Sequence, residues 1–366
     1  MFPRQLLVSL LAGAASAQAG WRIIARDIGG GALGTAFFED GVTGICVTSQ
    51  ILPAGYEIMA SNNSGVTWSS VAGTYRPFDA LYNVAAYGAH AIASADFIIL
   101  QSNDSARTFA DSNAPAGGQI VRKLAAADGR YVGFAILGET TAGDVNGAVV
   151  SRDGGASWAP VNIPWSNAGI LSIDGSFLND TWTVVGNVYE TSLRDAATYN
   201  TEVATSTDGG ATWRTAFSNS SVAALGIACV DAATCCLATE NGDNAFILCT
   251  ADGWTTVSQA LADMDEGAAI VELDVAPGTC AGGGDAIVAV GGDVAPSGGQ
   301  APGFWRSCDG GKTFTKDATP AWPVANLLVT DIDCQPHAPN GTACWATLWD
   351  NSGLEPNTFI AKYFAA

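Results

Sequence analysis

The octapeptide STDGGATW, at residues 206–213, is one of six related segments in the chain. Two others, SRDGGASW at 151–158 and SCDGGKTF at 307–314, follow the same pattern closely. Three copies are looser, and they are SNNSGVTW at 61–68, SNDSARTF at 102–109 and TADGWTTV at 250–257. A short motif that recurs along a chain is the sequence signature of a repeat architecture.

The spacing of the copies indicates the blades of a β-propeller. Their last residues are separated by 41, 49, 55, 44 and 57 residues, and alternating β-branched runs lie between them. Such a period is typical of a four-stranded blade. The segment GWRIIARDI at 20–28 resembles TWRTAF at 212–217, which follows a motif. We therefore predict an all-β, seven-bladed propeller over 20–366, whose ring is closed when residues 21–28 pair with 358–364.

The composition of the motif fits a turn between the third and fourth strands of a blade. Its Asp can accept hydrogen bonds from backbone N–H groups, its Gly residues tolerate positive φ, and its aromatic residue can pack between strands. We predict this structural role for Asp104, Asp153, Trp158, Asp208, Trp213, Asp252, Asp309 and Phe314.

On these residues the motif resembles the Asp-box. The chain is similar over its mature length to the Asp-box β-propeller superfamily, which includes sialidases, sortilin-type luminal domains and photosystem II stability and assembly factors. The resemblance implies that the boxes are structural and lie away from the binding face. A sialidase reading fits poorly, because TYRPF at 74–78 lacks the residue that the sialidase motif places between Arg and Pro.

The N-terminus predicts export. Arg4 precedes the apolar run 6–15, and Ala17-Gln18-Ala19 offers a small-residue cleavage site, so we assign residues 1–19 to a signal peptide. We expect a secreted protein, with the thylakoid lumen as the alternative compartment. Five Asn-x-Ser/Thr sequons are candidates for glycosylation, and they are Asn62, Asn103, Asn179, Asn219 and Asn340.

Nine cysteines suit an oxidising compartment. Cys334 and Cys344 are predicted to pair within one hairpin. Aligning CWAT with CLAT then predicts Cys229 with Cys236, and Cys280 with Cys308 is a plausible further pair. Cys235 should face the side of the sheet opposite to Cys236, where it either pairs with Cys249 or stays reduced. The remaining cysteine, Cys46, is expected to be a free thiol.

The charge of the chain excludes two classes of partner. The net charge is −20 with 15 Lys and Arg, whereas nucleic acids and anionic membranes need a basic face. After the leader, no segment is long and apolar enough to insert into a membrane. We expect a monomer.

The innermost strands carry matched acidic residues. VELDVAP at 271–277 aligns with TDIDCQP at 330–336, and LSIDG in the fourth blade adds an acid at the second of the two aligned positions. Clustered carboxylates raise a pKa or recruit a cation. A calcium site, an acid/base pair for glycoside hydrolysis and a merely solvated channel all remain open. The candidates are Asp174, Glu272, Asp274, Asp331 and Asp333.

The face opposite the motif turns should carry the longer loops. Exposed aromatics beside polar groups suit sugar binding, although two Trp residues next to Pro could instead plug their loops. The candidates are Tyr75, Arg76, Trp165, Tyr189 and Trp322. Function is therefore expected to be non-catalytic binding of a protein or glycan by a secreted propeller. A photosystem II assembly factor is the alternative, and a sialidase-like glycoside hydrolase the second alternative.

Overall fold

A computed structural model describes most of the chain. The residues described are 19–50, 55–71, 81–95, 98–112, 120–127, 131–138, 147–153, 155–164, 170–189, 199–241, 244–261, 268–293, 302–319, 321–324, 327–336, 341–350 and 357–364. The predicted leader therefore lies outside the described residues, except for its last position. Within the described residues, no helix has the length and apolar character needed to cross a bilayer.

Seven antiparallel sheets of four strands make up the fold, which is a seven-bladed β-propeller. In each of the first six blades, the strands follow chain order from the innermost strand outward. Blade one contains β2 (Gly31–Phe37), β3 (Gly44–Gln50), β4 (Gly55–Ser61) and β5 (Ser69–Ser70). Blade two contains β6 (Leu81–Tyr87), β7 (His90–Ala95), β8 (Ile98–Ser102) and β9 (Ala110–Asp111). Blade three contains β10 (Ile120–Ala127), β11 (Tyr131–Gly138), β12 (Gly147–Ser151) and β13 (Ala159–Val161). Blade four contains β14 (Ile170–Leu178), β15 (Thr181–Tyr189), β16 (Tyr199–Ser206) and β17 (Arg214–Asn219).

The last three blades follow the same order. Blade five contains β18 (Ala223–Cys229), β19 (Cys235–Glu240), β20 (Ala245–Thr250) and β21 (Ser258–Leu261). Blade six contains β22 (Ala268–Ala276), β23 (Ala286–Asp293), β24 (Gly303–Ser307) and β25 (Thr315–Lys316). Blade seven contains β26 (Leu327–Gln335), β27 (Ala343–Asp350), β28 (Asn357–Phe364) and, as its outer strand, β1 (Gly20–Ala25).

Blade seven is built from both ends of the chain. β1 pairs antiparallel with β28, with Trp21 opposite Tyr363. The sequence predicts the pairing of these two segments, although the paired strand ends at Ala25 rather than at residue 28. The Trp21 ring also stacks on Phe304 of blade six at a centroid distance of 4.0 Å. Its Nε1 donates a hydrogen bond to Asp317 Oδ2 at 3.2 Å. The N-terminal strand therefore completes one sheet and packs against the preceding one.

Aromatic packing also joins blade seven to blade one. The fully buried Trp345 ring of β27 stacks on Phe37 of β2, with centroids 3.9 Å apart. Trp345 Nε1 donates to the carbonyl oxygen of Ser64, in the motif turn of blade one. The sequence-distant first and last blades are thus held by a stacked pair and a hydrogen bond. Burial of large aromatic rings is among the strongest packing contributions that a chain can make.

Each of the six motif turns is closed by the same side-chain hydrogen bonds. In blade four, Ser206 Oγ accepts from Gly210 N at 2.9 Å and donates to Asp208 Oδ1 at 2.7 Å. Asp208 then accepts from the backbone and hydroxyl of Thr212 at 2.8 and 2.6 Å. These bonds hold the Asp208 pKa down at about 2, because they favour the charged carboxylate.

The blade one copy shows that the carboxylate can be replaced. Asn63 Oδ1 accepts from Thr67 N at 2.9 Å, and Asn63 Nδ2 donates to Thr67 Oγ1 at 2.7 Å. The amide therefore makes both bonds, with the threonine hydroxyl now accepting. The blade five copy differs in its fifth residue, Trp254, which adopts φ of 76° where four other copies have Gly. Trp254 is buried, with its ring 5.8 Å from Phe217, whereas the last position of that copy is Val257.

The first residue of the motif offers a direct test of the turn. We expect Ser206→Ala to lower the free energy of unfolding by about 1–3 kcal/mol, because the buried Gly210 N–H loses its acceptor. Chemical denaturation measures the change. The exposed neighbour Thr207 is the matched control, and Thr207→Ala should leave stability within about 0.5 kcal/mol. Equal effects of the two substitutions would contradict the role given to Ser206.

Four disulfides are present in the structure, and the predictions for Cys229 with Cys236 and for Cys235, as a partner of Cys249 or a reduced thiol, are both wrong. Cys334–Cys344 and Cys280–Cys308 form as the sequence predicts. Cys229 pairs with Cys235 rather than with Cys236, and Cys236 pairs with Cys249.

The strand register explains this correction. Cys229 lies directly opposite Cys235 across the hairpin, whereas Cys236 faces Ala228 on one side and Cys249 on the other. Aligning the second strands of two blades could not supply this register, because the lengths of the two hairpin turns differ. Adjacent cysteines do face opposite sides of the sheet, since Cys235 packs toward blade four and Cys236 toward blade six.

The ninth cysteine, Cys46, is reduced and buried in β3. Burial raises the pKa of its thiol, and the nearby Asp331 carboxylate raises it further. We expect a thiol reagent to detect no reactive group in the native protein and one per chain after denaturation without reductant. A native titre near one, or a denatured titre near three, would contradict this arrangement of cysteines.

Candidate functional site

The inner strands surround a cavity of about 280 Å³ in the central channel. Its lining residues come from the later halves of these strands, so the cavity lies at the end of the channel that faces the motif turns. The described lining contains no Lys, Arg or His. All five predicted acids contribute to it, and they are Asp174, Glu272, Asp274, Asp331 and Asp333.

A β-bulge shapes every inner strand just before these residues. The pairing of the first and second strands shifts in every blade, for example between Ile270 and Glu272 and between Val329 and Asp331, and it shifts a second time in blade three. In blades six and seven the first paired residue after the bulge is an acid, Glu272 or Asp331, whereas in blade four it is Ile173, one residue before Asp174.

Asp174 pairs with Val185 in β15. Its carboxylate bonds to the backbone of blade five in the same way as the Asp331 carboxylate bonds to blade one, so the two acids are equivalent. The prediction that placed Asp174 at the second position is wrong, because Asp174 accepts from Ile227 N, one residue after Gly226, just as Asp331 accepts from Thr35 N, one residue after Gly34.

Carboxylates at the first position join neighbouring blades. Asp174 Oδ2 accepts a hydrogen bond from Ile227 N of blade five at 2.7 Å. Asp331 Oδ2 accepts from Thr35 N of blade one at 2.6 Å. Both carboxylates are buried. The same bond thus occurs at the junctions of blades four with five and seven with one.

Two residues further along each strand, a second set of bonds repeats the arrangement. Asp333 Oδ2 accepts from Phe37 N at 2.9 Å, and Asp274 Oδ2 accepts from Cys334 N at 2.7 Å. In blade four the acceptor is a hydroxyl, and Ser176 Oγ accepts from Cys229 N at 3.1 Å. The inner edge of each sheet exposes backbone N–H groups that no fifth strand pairs with. These side chains supply the missing acceptors.

Glu272 occupies the first position in blade six and depends on a glycine in blade five. A Cβ on Gly226 would lie 2.7 Å from Glu272 Oε1, so only glycine leaves room for that carboxylate. Glu272 Oε1 also lies 3.3 Å from Leu273 N. Sequence reasoning identified the acids but missed Ser176 and Gly226. The spacing was the available signal, because an acceptor recurs at alternate residues in 174–176, 272–274 and 331–333.

Two of the acids have raised pKa values. Burial raises the pKa of Asp333 to about 7, with the Asp331 carboxylate adding to the rise, although hydrogen bonds from Gln335 and Phe37 oppose it. The Asp274 pKa is also raised, mainly by burial and then by the negative charge of Asp333. Gln335 Nε2 lies 3.1 Å from both Asp333 oxygens. The pair therefore carries less than two full negative charges at neutral pH.

The acids have a structural role, because they link neighbouring blades. Within the part of the chain that the structure describes, no three His, Cys, Asp or Glu side chains are grouped so as to hold a metal ion. Of the five acids, four bind the backbone of a neighbouring blade. Each of these four carboxylates is held in place by a hydrogen bond across a blade junction.

Most of the predicted binding residues in the loops lie outside the described part of the chain. Tyr75, Arg76 and Trp165 lie outside the described residues, and Tyr189 lies in β15 without a described side chain. Trp322 is described, and its half-buried ring lies 6.0 Å from Phe304. Trp322 therefore packs against blade six, which agrees with the alternative prediction that it plugs its loop.

Comparisons with known proteins support the fold. No protein-family model matches the chain, and no curated protein matches it. Among solved structures, YCF48 bound to a D1 peptide aligns with a TM-score of 0.62 at 15% identity, over 96% of this chain and 98% of that one. An ancestral GH74 enzyme aligns at 0.62 and 16% identity, over 92% of this chain but only 47% of the enzyme. The N-terminal domain of Nup159 aligns at 0.53 and 10% identity, over 94% and 96% of the two chains.

Proposed function

We propose that the chain is an exported, monomeric and non-catalytic propeller that binds a protein or glycan partner, and that its six motif turns are Asp-boxes. One observation carries the proposal. The carboxylates that could perform acid/base chemistry in the channel instead accept backbone hydrogen bonds from the next blade. The ring is therefore a rigid scaffold, and propellers of this size bind partners on the faces of the ring.

The face opposite the Asp-boxes is the proposed binding face. The sequence places its longer loops there, together with Tyr75, Arg76, Trp165 and Tyr189. Net charge favours a partner with basic groups, because a chain of −20 repels acidic molecules and speeds encounter with basic ones.

A peptide-binding assembly factor is the second candidate. The YCF48 structure holds a D1 peptide, and it aligns with nearly the whole of both chains. On this reading the partner is a segment of a photosystem II protein and the compartment is the thylakoid lumen. The two readings share a non-catalytic propeller and differ in the partner.

A glycoside hydrolase is the third candidate, and only fold similarity to a GH74 enzyme favours it. Two carboxylates must approach the glycosidic bond in such enzymes. In the channel, Asp174 and Asp331 are buried and bonded to backbone. The calcium prediction also stays open, and calorimetric titration of wild type and of Asp331→Asn/Asp333→Asn tests it directly.

The binding face can be tested with bulky substitutions on each side of the ring. Asn244 is exposed in the turn between the second and third strands of blade five, and Thr207 is exposed in an Asp-box. We would probe wild type, Asn244→Trp and Thr207→Trp against basic and acidic peptide libraries, a D1-derived peptide and a glycan array, with reducing-sugar release measured in parallel. Binding that is weakened only by Asn244→Trp supports the proposal. Loss with Thr207→Trp alone places the site on the other face, and sugar release favours the hydrolase.

A further inference from the structure

The second residue of every motif turn points outward. The bonds that close each turn join its first, third, fifth and seventh residues. The second residue is exposed in all six copies, and its identity varies freely among Asn62, Asn103, Arg152, Thr207, Ala251 and Cys308. A group attached at this position would therefore leave the turn intact.

Two of these second residues begin a sequon. Asn62-Asn63-Ser64 and Asn103-Asp104-Ser105 both meet the Asn-x-Ser pattern. By contrast, Asn219 is half-buried, and its Oδ1 accepts a hydrogen bond from Ser221 N at 2.9 Å. The turn position therefore gives Asn62 and Asn103 the exposure that a large attached group requires.

A groove lies beside Asn62 and extends to the motif turn of blade two, where Ser105 and Arg107 line it. The groove has a volume of about 400 Å³, and its lining includes Asn62, Trp68, Ser70 and Arg107. Trp68 is only partly buried, and its Nε1 donates to Gly65 O at 2.8 Å, which fixes the ring. A fixed aromatic face beside hydroxyl and guanidinium groups is the surface on which a sugar ring stacks and forms hydrogen bonds.

Asn103 provides a natural comparison in the next blade. The aromatic residue that ends its turn, Phe109, is 1% exposed, so it offers no face to a sugar. Asn103 Oδ1 lies 2.8 Å from His90 Nδ1, which leaves Nδ2 as the atom that could carry a glycan. The two sequons thus share a turn position and differ in the surface beside them.

We propose that Asn62 and Asn103 carry N-linked glycans, and that the first sugars of the Asn62 glycan lie in the groove against Trp68. The inference rests on the proposed export of the chain through a secretory pathway. The donor class is a lipid-diphosphate-linked oligosaccharide. A bond forms between asparagine Nδ2 and C1 of the first sugar, the bond from that C1 to the diphosphate breaks, and one amide proton is released to the transferase.

The experiment expresses the full chain behind a secretory leader in a eukaryotic host, so that its natural compartment and partner do not affect the result. Glycopeptide mapping should find Asn62 and Asn103 occupied and Asn219 unmodified. The Tm is then measured before and after enzymatic removal of glycans, in wild type, Asn62→Gln, Asn103→Gln, Trp68→Phe and Trp68→Ala. Each variant serves as its own reference, so a loss of stability caused by Trp68→Ala itself cancels.

Removal of glycans should lower the Tm of wild type and Asn103→Gln by about 2 °C. The difference should persist in Trp68→Phe and vanish in Trp68→Ala and Asn62→Gln. An unmodified Asn62 or Asn103, or an occupied Asn219, would overturn the assignment of the sites. An occupied Asn62 whose removal leaves the Tm unchanged, or lowers it equally in Trp68→Ala, would overturn the groove contact. None of these outcomes depends on whether a binding partner is found.

Discussion

A chain that begins at residue 27 should unfold at a much lower denaturant concentration than one that begins at residue 19. The shorter chain lacks β1, and with it the Trp21 ring that is buried against Phe304. Removing a buried Trp side chain costs about 3–5 kcal/mol on its own. The backbone of β28 also loses its partner strand, and an unpaired edge invites association between molecules.

Guanidinium denaturation and light scattering measure the two consequences. The chain that begins at residue 19 is the control, because it removes the predicted leader and keeps β1. Trp21→Ala separates the contribution of the ring from that of the strand, and we expect it to account for most of the loss. If the chain that begins at residue 27 kept the midpoint of the control and stayed monomeric, β1 would not be needed to complete blade seven.

The architecture could be predicted from sequence because the turn motif is local. Each copy supplies its own hydrogen-bond acceptors and its own residue with positive φ. The conformation of the turn therefore does not depend on distant contacts. The six copies of the motif therefore indicate six blades. The similarity of residues 20–28 to a strand that follows a motif indicates the seventh. That count led to the prediction that residues 21–28 pair with 358–364, and the structure pairs Gly20–Ala25 with this C-terminal strand.

The site was harder to predict because it depends on register between blades. The acids were found by aligning inner strands, but whether a carboxylate faces solvent, a metal or a backbone N–H is decided by the neighbouring blade. Asp174 bonds to blade five from the first aligned position rather than from the second, and Cys229 pairs with Cys235 rather than with Cys236. The hydrophobic pattern of a strand fixes which of its faces is buried, but it does not name the residue that lies opposite in the neighbouring blade.

The acidic pair in the channel should make the protein less stable as the pH rises. Asp333 has a pKa near 7 in the folded protein and an ordinary value of 3.8 when unfolded. Between these values the folded chain holds a proton that the unfolded chain releases, so the free energy of unfolding falls as the pH rises from about 4 to about 7. Asp274 shifts in the same direction and adds to the effect.

Asp333→Asn should remove much of this dependence. The amide oxygen can still accept from Phe37 N, but the side chain no longer becomes charged. At pH 5 the wild-type carboxyl is already neutral, so the two proteins should be nearly equal in stability. At pH 8 we expect the variant to be more stable by about 2 kcal/mol, which is less than the full shift implies, because Asp333 lines an open cavity.

The control is an Asp→Asn substitution with the opposite pH dependence. Asp208 has a pKa lowered to about 2, so its contribution is complete above pH 4 and is lost as the pH falls through 2. Asp208→Asn should therefore flatten the stability curve below pH 4 and leave its slope between pH 4 and 7 unchanged. Urea denaturation from pH 2 to 8 on all three proteins separates the two windows. Two results would contradict the prediction. One is a wild-type free energy of unfolding that rises between pH 4 and 7, and the other is an Asp333→Asn curve parallel to that of wild type. Either would show that the channel carboxylates titrate as ordinary solvated acids, with no loss of stability from their burial between the blades.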